Sequence, residues 1–308
     1  MTVSLVAVDY SRPVQPIFER ESRVGTIHSV FHKAMNIALD GTLLALLSTE
    51  LPHMPNSVRL SKMIVDELLP NLQPGMEVWI GNEKLFIPAY NLSLRLPETA
   101  AWEPRPDVTA YQWHPETVAR HVRLLAYILA DKPQQGGLAP FVRPLLLGRP
   151  AQETPLSRMA MPKLRLLTQA SWRQNMAGIG EATRGLAGLG PGLTPSGDDV
   201  LGGFAAIMAL LSSQLSADAA SRKHIASAIA AVARPRTTTL SAVLLAHAAR
   251  GELAEQMGTL LLTLSFPFEE SETILDAANH VLAFGASSGG DTLLGMLLGL
   301  RALEGEIN

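Results

Sequence analysis

The spacing of apolar positions changes character about a third of the way along the chain. From Val24 to about Leu96 they come in short runs closed by turn residues. Gly25-Thr26-Ile27-His28-Ser29-Val30-Phe31 is β-branched with partial alternation, the pattern of a half-buried strand. Asn36–Leu39, Asp40-Gly41 and Thr42–Leu47 predict a hairpin, because Asp-Gly readily supplies the two positive-φ positions of a type I′ turn. Met76–Ile80, Gly81–Glu83 and Lys84–Ile87 predict a second hairpin, and Ser61–Leu69 predicts a short helix stopped by Pro70. Short strands joined by tight turns point to a small β-barrel or sandwich-like domain. Residues 1–23, with Pro13 and Pro16, read as a loosely structured opening segment. Residues 97–110 hold Pro97, Pro104 and Pro106 among few apolar side chains and read as a linker.

Beyond the linker the period becomes helical. Pro115 stands where a first-turn proline belongs, and Val118, Val122, Leu125 and Leu129 form an apolar stripe over Glu116–Ala130. A helix-like stretch from about 155 to 175 is interrupted by Pro162, which should kink or split it. Further helices are predicted at roughly 198–213, 217–233, 239–250, 252–264, 270–284 and 290–304. The pattern therefore predicts an α+β protein, with a β-rich domain over residues 1–105 and a larger all-α domain over 106–308.

Composition narrows the functional classes. A chain of 308 residues suggests two domains. With 47% hydrophobic and 17% charged residues, it has apolar material for a large core and a surplus suited to a subunit interface, so an oligomer is expected. A net charge of −3 advertises neither nucleic-acid nor membrane-surface binding. The chain has no Cys, which rules out disulfides and thiolate metal sites and fits a reducing compartment. No basic, apolar leader is visible at the start, and no apolar run is long enough to span a bilayer, so a cytoplasmic protein is expected.

Candidate chemistry concentrates in Gly188-Leu189-Gly190-Pro191-Gly192-Leu193-Thr194-Pro195-Ser196-Gly197-Asp198-Asp199. Glycines and prolines shape a tight loop that feeds a helix N-terminus, with two carboxylates in its first turn. Ser196–Gly203 is echoed by Ser288–Gly295, with Ser, Gly, Asp, Leu and Gly in common. Each copy opens a glycine-bearing apolar helix, which suggests two helices with their N-termini side by side. Both copies read S-x-x-D, an acidic variant of the capping box, in which Asp199 and Asp291 serve their own helix ends. Asp198 has Gly290 as its counterpart, has no capping duty, and is the better candidate for chemistry. Gly295 and Gly299 share a helix face and permit close approach of a neighbour such as the helix carrying Gly202 and Gly203.

Amides at such helix ends favour an anion, and the aspartates oppose it unless Mg²⁺, held for example by Asp198, or arginines such as Arg236 intervene. Asp198 accepting an amide or ureido NH₂ is a third option. The loop is neither a Walker A motif nor a dinucleotide fingerprint, since no Gly-Lys-Ser/Thr follows and no strand precedes it. Candidate catalytic residues are thus Asp198, Asp199 and Asp291. Candidate substrate contacts are Gly190, Gly192, Thr194, Ser196 and Gly197, with Ser287, Ser288 and Gly289 at the echo. Arg236, Thr237 and Thr238 precede another helix and suit an oxyanion, or simply a helix cap with solvated arginines. His28, Ser29 and Asn36 either line a cleft between the domains or are edge-strand polar residues. His247 reads as a satisfied core histidine, and His114 and His121 suggest no metal site.

The combination of Gly25–Phe31, the Gly188–Asp199 loop, Thr237–Ser241 with Gly251-Glu252, and Ser287–Gly299 resembles the AllH-type family. That resemblance implies a subunit of a bacterial oxamate carbamoyltransferase acting in anaerobic allantoin breakdown, a branch of purine degradation. It implies interconversion of oxalurate plus phosphate with oxamate plus carbamoyl phosphate, other transferase subunits as partners, and no redox cofactor. Backbone amides near Ser196–Gly197 and Ser288–Gly289 would then bind phosphate or carboxylate oxygens, with Thr194, Ser196 and Thr238 donating further hydrogen bonds. A non-catalytic structural subunit and a Mg²⁺-dependent all-α hydrolase are the alternatives.

Overall fold

Residues 3–132, 136–215 and 219–304 are described by the structure, a computed structural model. The chain divides into two units, Met1–Pro104 and Arg105–Asn308. The first is built on ten strands: β1 (Val3–Val6), β2 (Asp9–Ser11), β3 (Arg23–Val30), β4 (Ala34–Leu39), β5 (Thr42–Ser48), β6 (Ser57–Leu60), β7 (Glu77–Gly81), β8 (Lys84–Ile87), β9 (Leu92–Arg95) and β10 (Ala101–Trp102). They form one mixed sheet in the order β1-β9-β8-β7-β3-β4-β5-β6-β2-β10. Two short helices, α1 (Gln15–Glu19) and α2 (Lys62–Leu68), accompany it.

Both predicted hairpins form. Asp40 and Gly41 take φ 48° and 75° between β4 and β5, and Asn82 and Glu83 take φ 50° and 65° between β7 and β8. The Ser61 side chain caps α2 by accepting from the Ile64 amide. Inward side chains of β2 to β9, with Val14, Phe18 and Val65, make one apolar cluster, so the sheet curls around a single core. The barrel or sandwich expectation thus becomes one curled sheet.

Two local expectations are corrected. The opening segment is ordered into strands: Val3 pairs in parallel with Leu92, and Asp9 lies opposite Arg59 in an antiparallel pair. Arg59 clamps Asp9 with bonds of 2.8 and 2.7 Å. The supposed linker contributes β10, whose Ala101 pairs with Tyr10. Both segments owe their extended form to partners distant in sequence, so local alternation does not reveal them.

The second unit is helical: α3 (Pro115–Asp131), α4 (Val142–Leu146), α5 (Pro155–Trp172), α6 (Met176–Leu186), α7 (Ser196–Leu215), α8 (Ala219–Ala233), α9 (Thr239–Ala248), α10 (Glu255–Thr263), α11 (Ser271–Leu282) and α12 (Ser288–Glu304). Pro162 lies inside α5 without splitting it. Helix α6, rich in glycine, has no counterpart among the predicted helices; Asn175 caps it by accepting from the Gly178 amide at 3.2 Å. No helix among the described residues is long and apolar enough to cross a membrane.

Helix α7 is buried around most of its circumference, and α12 is its principal partner. Glycines set how closely the two cross. A Cβ on Gly203 would lie 2.1 Å from the Thr292 carbonyl oxygen, and one on Gly295 would lie 2.0 Å from that of Val200. Gly299 adds a third close approach, 2.9 Å from Ile207 Cβ. Gly202, one residue from Gly203, faces elsewhere: its nearest neighbour would be a Leu245 methyl at 3.9 Å.

This contrast is testable within one helix. Gly203→Ala or Gly295→Ala must push two backbones apart and should lower stability by about 3 kcal/mol or more in denaturant unfolding. Gly202→Ala should be neutral or stabilising by up to roughly 1 kcal/mol, because alanine is the better helix former. Equal effects at Gly202 and Gly203 would refute the contact argument.

Candidate functional site

The sequence echo becomes a reciprocal structure. Gly203 meets Thr292 and Gly295 meets Val200, equivalent positions exchanged between α7 and α12. The serines and aspartates cross over in the same way: the Ser196 hydroxyl faces Asp291, and the Ser288 hydroxyl faces Asp199. Such exchange is what an approximate two-fold axis imposes. The preceding helices obey it too. A Cβ on Gly197 would strike the Leu186 carbonyl at 2.0 Å, and one on Gly289 the Val281 carbonyl at 1.9 Å. The hairpins α6–α7 and α11–α12 are therefore equivalent units packed through their second helices.

This geometry revises the capping expectation. Asp199 and Asp291 do not simply close their own helix ends: each reaches to a serine of the opposite hairpin as well as to a hydroxyl before its own helix, Thr194 and Ser287 respectively. The first-turn amides are satisfied by backbone carbonyls: Gly197 donates to Leu189 at 2.8 Å, Gly289 to Phe284 at 2.9 Å, and Asp291 to Ser287 at 2.9 Å. The amides of Gly197 and Gly289, expected to bind anions, are thus already committed.

Symmetry fails at three places. The loop before α7 is three residues longer between equivalent bonds, Gly197 to Leu189 against Gly289 to Phe284. Gly190 and Gly192 shape it at φ 118° and 96°. It delivers Thr194, whose hydroxyl lies 3.1 Å from that of Ser288 and also bonds to Asp199. Second, Asp198 replaces Gly290. It accepts from the Gly188 amide at 3.0 Å on one oxygen and from the Thr237 hydroxyl on the other. Asp198 therefore has a structural duty that the sequence did not show: it ties the loop to the start of α9. Third, Asp291 Oδ1 accepts the amides of Leu138 at 2.6 Å and Ala139 at 2.8 Å. Gly137, at φ 78°, allows this grip, since a Cβ there would lie 2.7 Å from both Asp291 oxygens. Sequence reading missed residues 137–139; the Gly136-Gly137 pair was the available signal.

Three carboxyl groups consequently share a poorly solvated region. Asp198 is 3% exposed and Asp291 is fully buried. Asp199 keeps some exposed surface, yet its Oδ2, like Oδ2 of Asp291, is sealed and has no hydrogen-bond partner among the described residues. Burial pushes the Asp199 carboxyl up to about 8, with the charges of Asp291 and Asp198 adding to the effect and the Ser288 and Thr194 hydroxyls opposing it. Burial also raises Asp291 and Asp198, against the hydrogen bonds each accepts. Asp199 thus holds a proton at neutral pH. The pair Asp199–Asp291 offers acceptor oxygens and one acidic proton, an arrangement suited to amide or ureido groups. Among the described residues no group of three or more His, Asp or Glu side chains is placed to hold a metal ion. Both Asp198 oxygens accept hydrogen bonds within the chain, from Gly188 and Thr237.

The other expected residues have defined places. Thr238 caps α9, accepting from the Ser241 amide at 3.1 Å and donating to the Leu193 carbonyl at 2.6 Å. Arg236 turns its guanidinium back to the Val232 carbonyl at 3.1 Å. His28, Ser29 and Asn36 form their own group on β3 and β4, where the register shifts at His28 and Asn36 donates to the Ser29 hydroxyl at 3.0 Å. His247 is a satisfied, buried histidine with Nδ1 2.5 Å from Glu252. Burial works to raise the Glu252 carboxyl, but hydrogen bonds from His247 and Arg250 outweigh it and hold the group at about 2. His121 is fully buried, with Nδ1 3.1 Å from the Leu264 carbonyl.

The raised carboxyls make stability depend on pH in a definite sense. A folded-state value of about 8 against the ordinary 3.8 for Asp199 means that the folded protein binds the extra proton. Stability is then fully present below about pH 4 as far as this group is concerned, and is lost as pH rises towards and through 8. Asp199→Asn removes that titration, so its unfolding free energy should fall less than wild type's between pH 5 and 9 (denaturant titrations at about six pH values). Parallel curves would show that Asp199 titrates normally.

Residues 186–300 match the family model described as oxamate carbamoyltransferase subunit AllH, and residues 6–101 match that of the AllH family N-terminal domain. No solved structure matches the chain. The first match contains both loops, α7, most of α12 and all three carboxylates, while the second spans most of the curled sheet. Since the two matches together cover more than half of the sequence, the chain belongs to the AllH family of carbamoyltransferase subunits.

Proposed function

We propose that this subunit contributes substrate-contacting groups to carbamoyl transfer between oxalurate plus phosphate and oxamate plus carbamoyl phosphate, at the junction of α7 and α12. One observation supports the reading. Two carboxyl oxygens, Asp199 Oδ2 and Asp291 Oδ2, are sealed without a partner among the described residues, beside the Thr194, Ser196 and Ser288 hydroxyls. An unpaired buried acceptor carries a desolvation cost of about 1–3 kcal/mol, which a ureido or carbamoyl NH₂ would relieve.

In the reaction a phosphate oxygen attacks the ureido carbonyl carbon. The bond from that carbon to the oxamate nitrogen breaks, and the nitrogen takes a proton. The protein need supply no nucleophile: fixed geometry and hydrogen bonds to the developing oxyanion suffice in principle. In this proposal Asp199 and Asp291 orient the NH₂ group, and the hydroxyls of Thr194, Ser196 and Ser288 face substrate oxygens. Asp198 acts as a positioning residue through Gly188 and Thr237, and Gly190 and Gly192 shape the covering loop.

A specific observation favours a second reading. The amides of Gly197 and Gly289, the Thr237 and Thr238 hydroxyls and the Arg236 guanidinium all have partners within the chain. Phosphate would then be held by another subunit, and this chain would complete or support a site centred elsewhere.

The assembled transferase distinguishes the two. Asp199→Asn should lower kcat/KM for carbamoyl transfer at least about tenfold with the complex intact by size-exclusion chromatography. Asp198→Asn should lower it too, and should also disturb the loop, visible as faster proteolysis near Gly190. Wild-type turnover in both variants would take these carboxylates out of the site and leave the supporting-subunit reading. For variants that fail to assemble, a thermal shift of the wild-type chain by oxamate decides: no shift counts against substrate contact here.

A further inference from the structure

A second feature of the helical unit has no role in the site above. A cavity of about 620 Å³ opens beside the C-terminal end of α3 and is lined by Tyr127, Ile128, Ala130, Asp131, Arg143, Arg149 and Pro150. Two arginines six residues apart are brought together by a specific turn. Helix α4 ends at Leu146, Gly148 takes φ 61°, and the Arg149 amide donates to the Arg143 carbonyl at 3.0 Å. Both guanidiniums are also oriented. Arg143 donates from Nη2 to the Ala130 carbonyl at 2.6 Å, satisfying a last-turn carbonyl of α3. Arg149 stacks over the Tyr127 ring, 5.3 Å from its centroid.

Among the described residues neither arginine forms an ion pair, and Asp131 is the only carboxylate lining the cavity. The wall therefore carries two fixed cations against one anion. Both arginines are exposed, and two like charges lining one pocket are an arrangement that a bound anion offsets. Each guanidinium keeps N–H groups beyond those used internally, in the planar geometry that matches carboxylate and phosphate oxygens. The remaining wall is apolar, from Ile128, Ala130 and Pro150. The volume falls within the range of small-molecule sites and far exceeds what a bare inorganic anion fills.

We propose that this cavity binds a small organic anion, with its carboxylate or phosphate group between Arg143 and Arg149 and its apolar body against Ile128 and Pro150. The inference is independent of the carbamoyl-transfer reading. The cavity is nonetheless tied to the carboxylate pair through the chain: α4 follows directly on residues 138–141, and the amides of Leu138 and Ala139 hold Asp291. An anion that draws Arg143 inward acts on the segment that grips Asp291, which makes the cavity suited to an effector.

Isothermal titration of the full chain with phenyl phosphate, benzoate, inorganic phosphate and phenol tests the proposal. At least one of the two aryl anions should bind saturably and roughly tenfold or more tighter than both inorganic phosphate and phenol. Which of the two wins assigns the site to a phosphate or a carboxylate. Arg143→Gln and Arg149→Gln should each weaken that binding about tenfold, the loss expected for one charge-assisted contact. Asp131→Asn, at an exposed position, should tighten it severalfold by removing the opposing charge. Unchanged thermal melts would show that the variants fold. The proposal is overturned if neither aryl anion binds at millimolar concentration, if phenol binds as well as both, or if the double arginine variant binds undiminished.

Discussion

The constraint on which the helical unit depends is the crossing of α7 and α12, where two backbones touch with no side chain between them. Gly203 against the Thr292 carbonyl and Gly295 against that of Val200 fix both the separation and the register of the pair. A register fixed in this way decides what lies at the helix N-termini. Ser196 is brought to Asp291 and Ser288 to Asp199, and the two hairpins become interlocked partners. Shifting one helix by a turn would separate every one of these pairs by about 5.4 Å.

The arrangement concentrates carboxyl groups where water is scarce. Burial raises all three, and it leaves two oxygens without donors among the described residues. A fold seeking only stability would replace such a pair with apolar side chains of similar volume. Retaining it, beside hydroxyls from both hairpins, is what supports the proposed substrate contact. The departures from two-fold symmetry all fall here. The longer loop brings Thr194, Asp198 braces that loop against Thr237, and the 137–139 segment closes on Asp291 alone. Equivalent hairpins thus surround non-equivalent carboxylates.

Much of this was legible in the chain, for local reasons. Asp40-Gly41 marks a turn because of its own backbone preferences, Pro115 marks a helix start through its fixed φ and missing N–H, and Ser61 marks another through its hydroxyl acceptor. The echo of Ser196–Gly203 at Ser288–Gly295 pointed to a helix pair. What it could not convey was partnership. S-x-x-D reads as a helix capping itself when only sequence neighbours are considered, whereas the serines of the opposite hairpin lie 89 and 95 positions away. The same blindness gave Asp198 freedom it lacks, since Gly188 and Thr237 satisfy it only after folding. It also hid β1, β2 and β10, whose strand form comes from pairing across the sheet.

The sequence by itself determined the class of most segments, the change from strand to helix period, the place of the glycine-rich loops and the residue types available for chemistry. Those properties depend on side-chain preferences acting over a few residues. Only the tertiary structure decided which glycine carries the helix contact, which serine meets which aspartate, and which carboxyl oxygens remain without a donor. These follow from the distance of closest approach between two backbones and from exclusion of water by the surrounding helices, and neither quantity exists until the chain has folded.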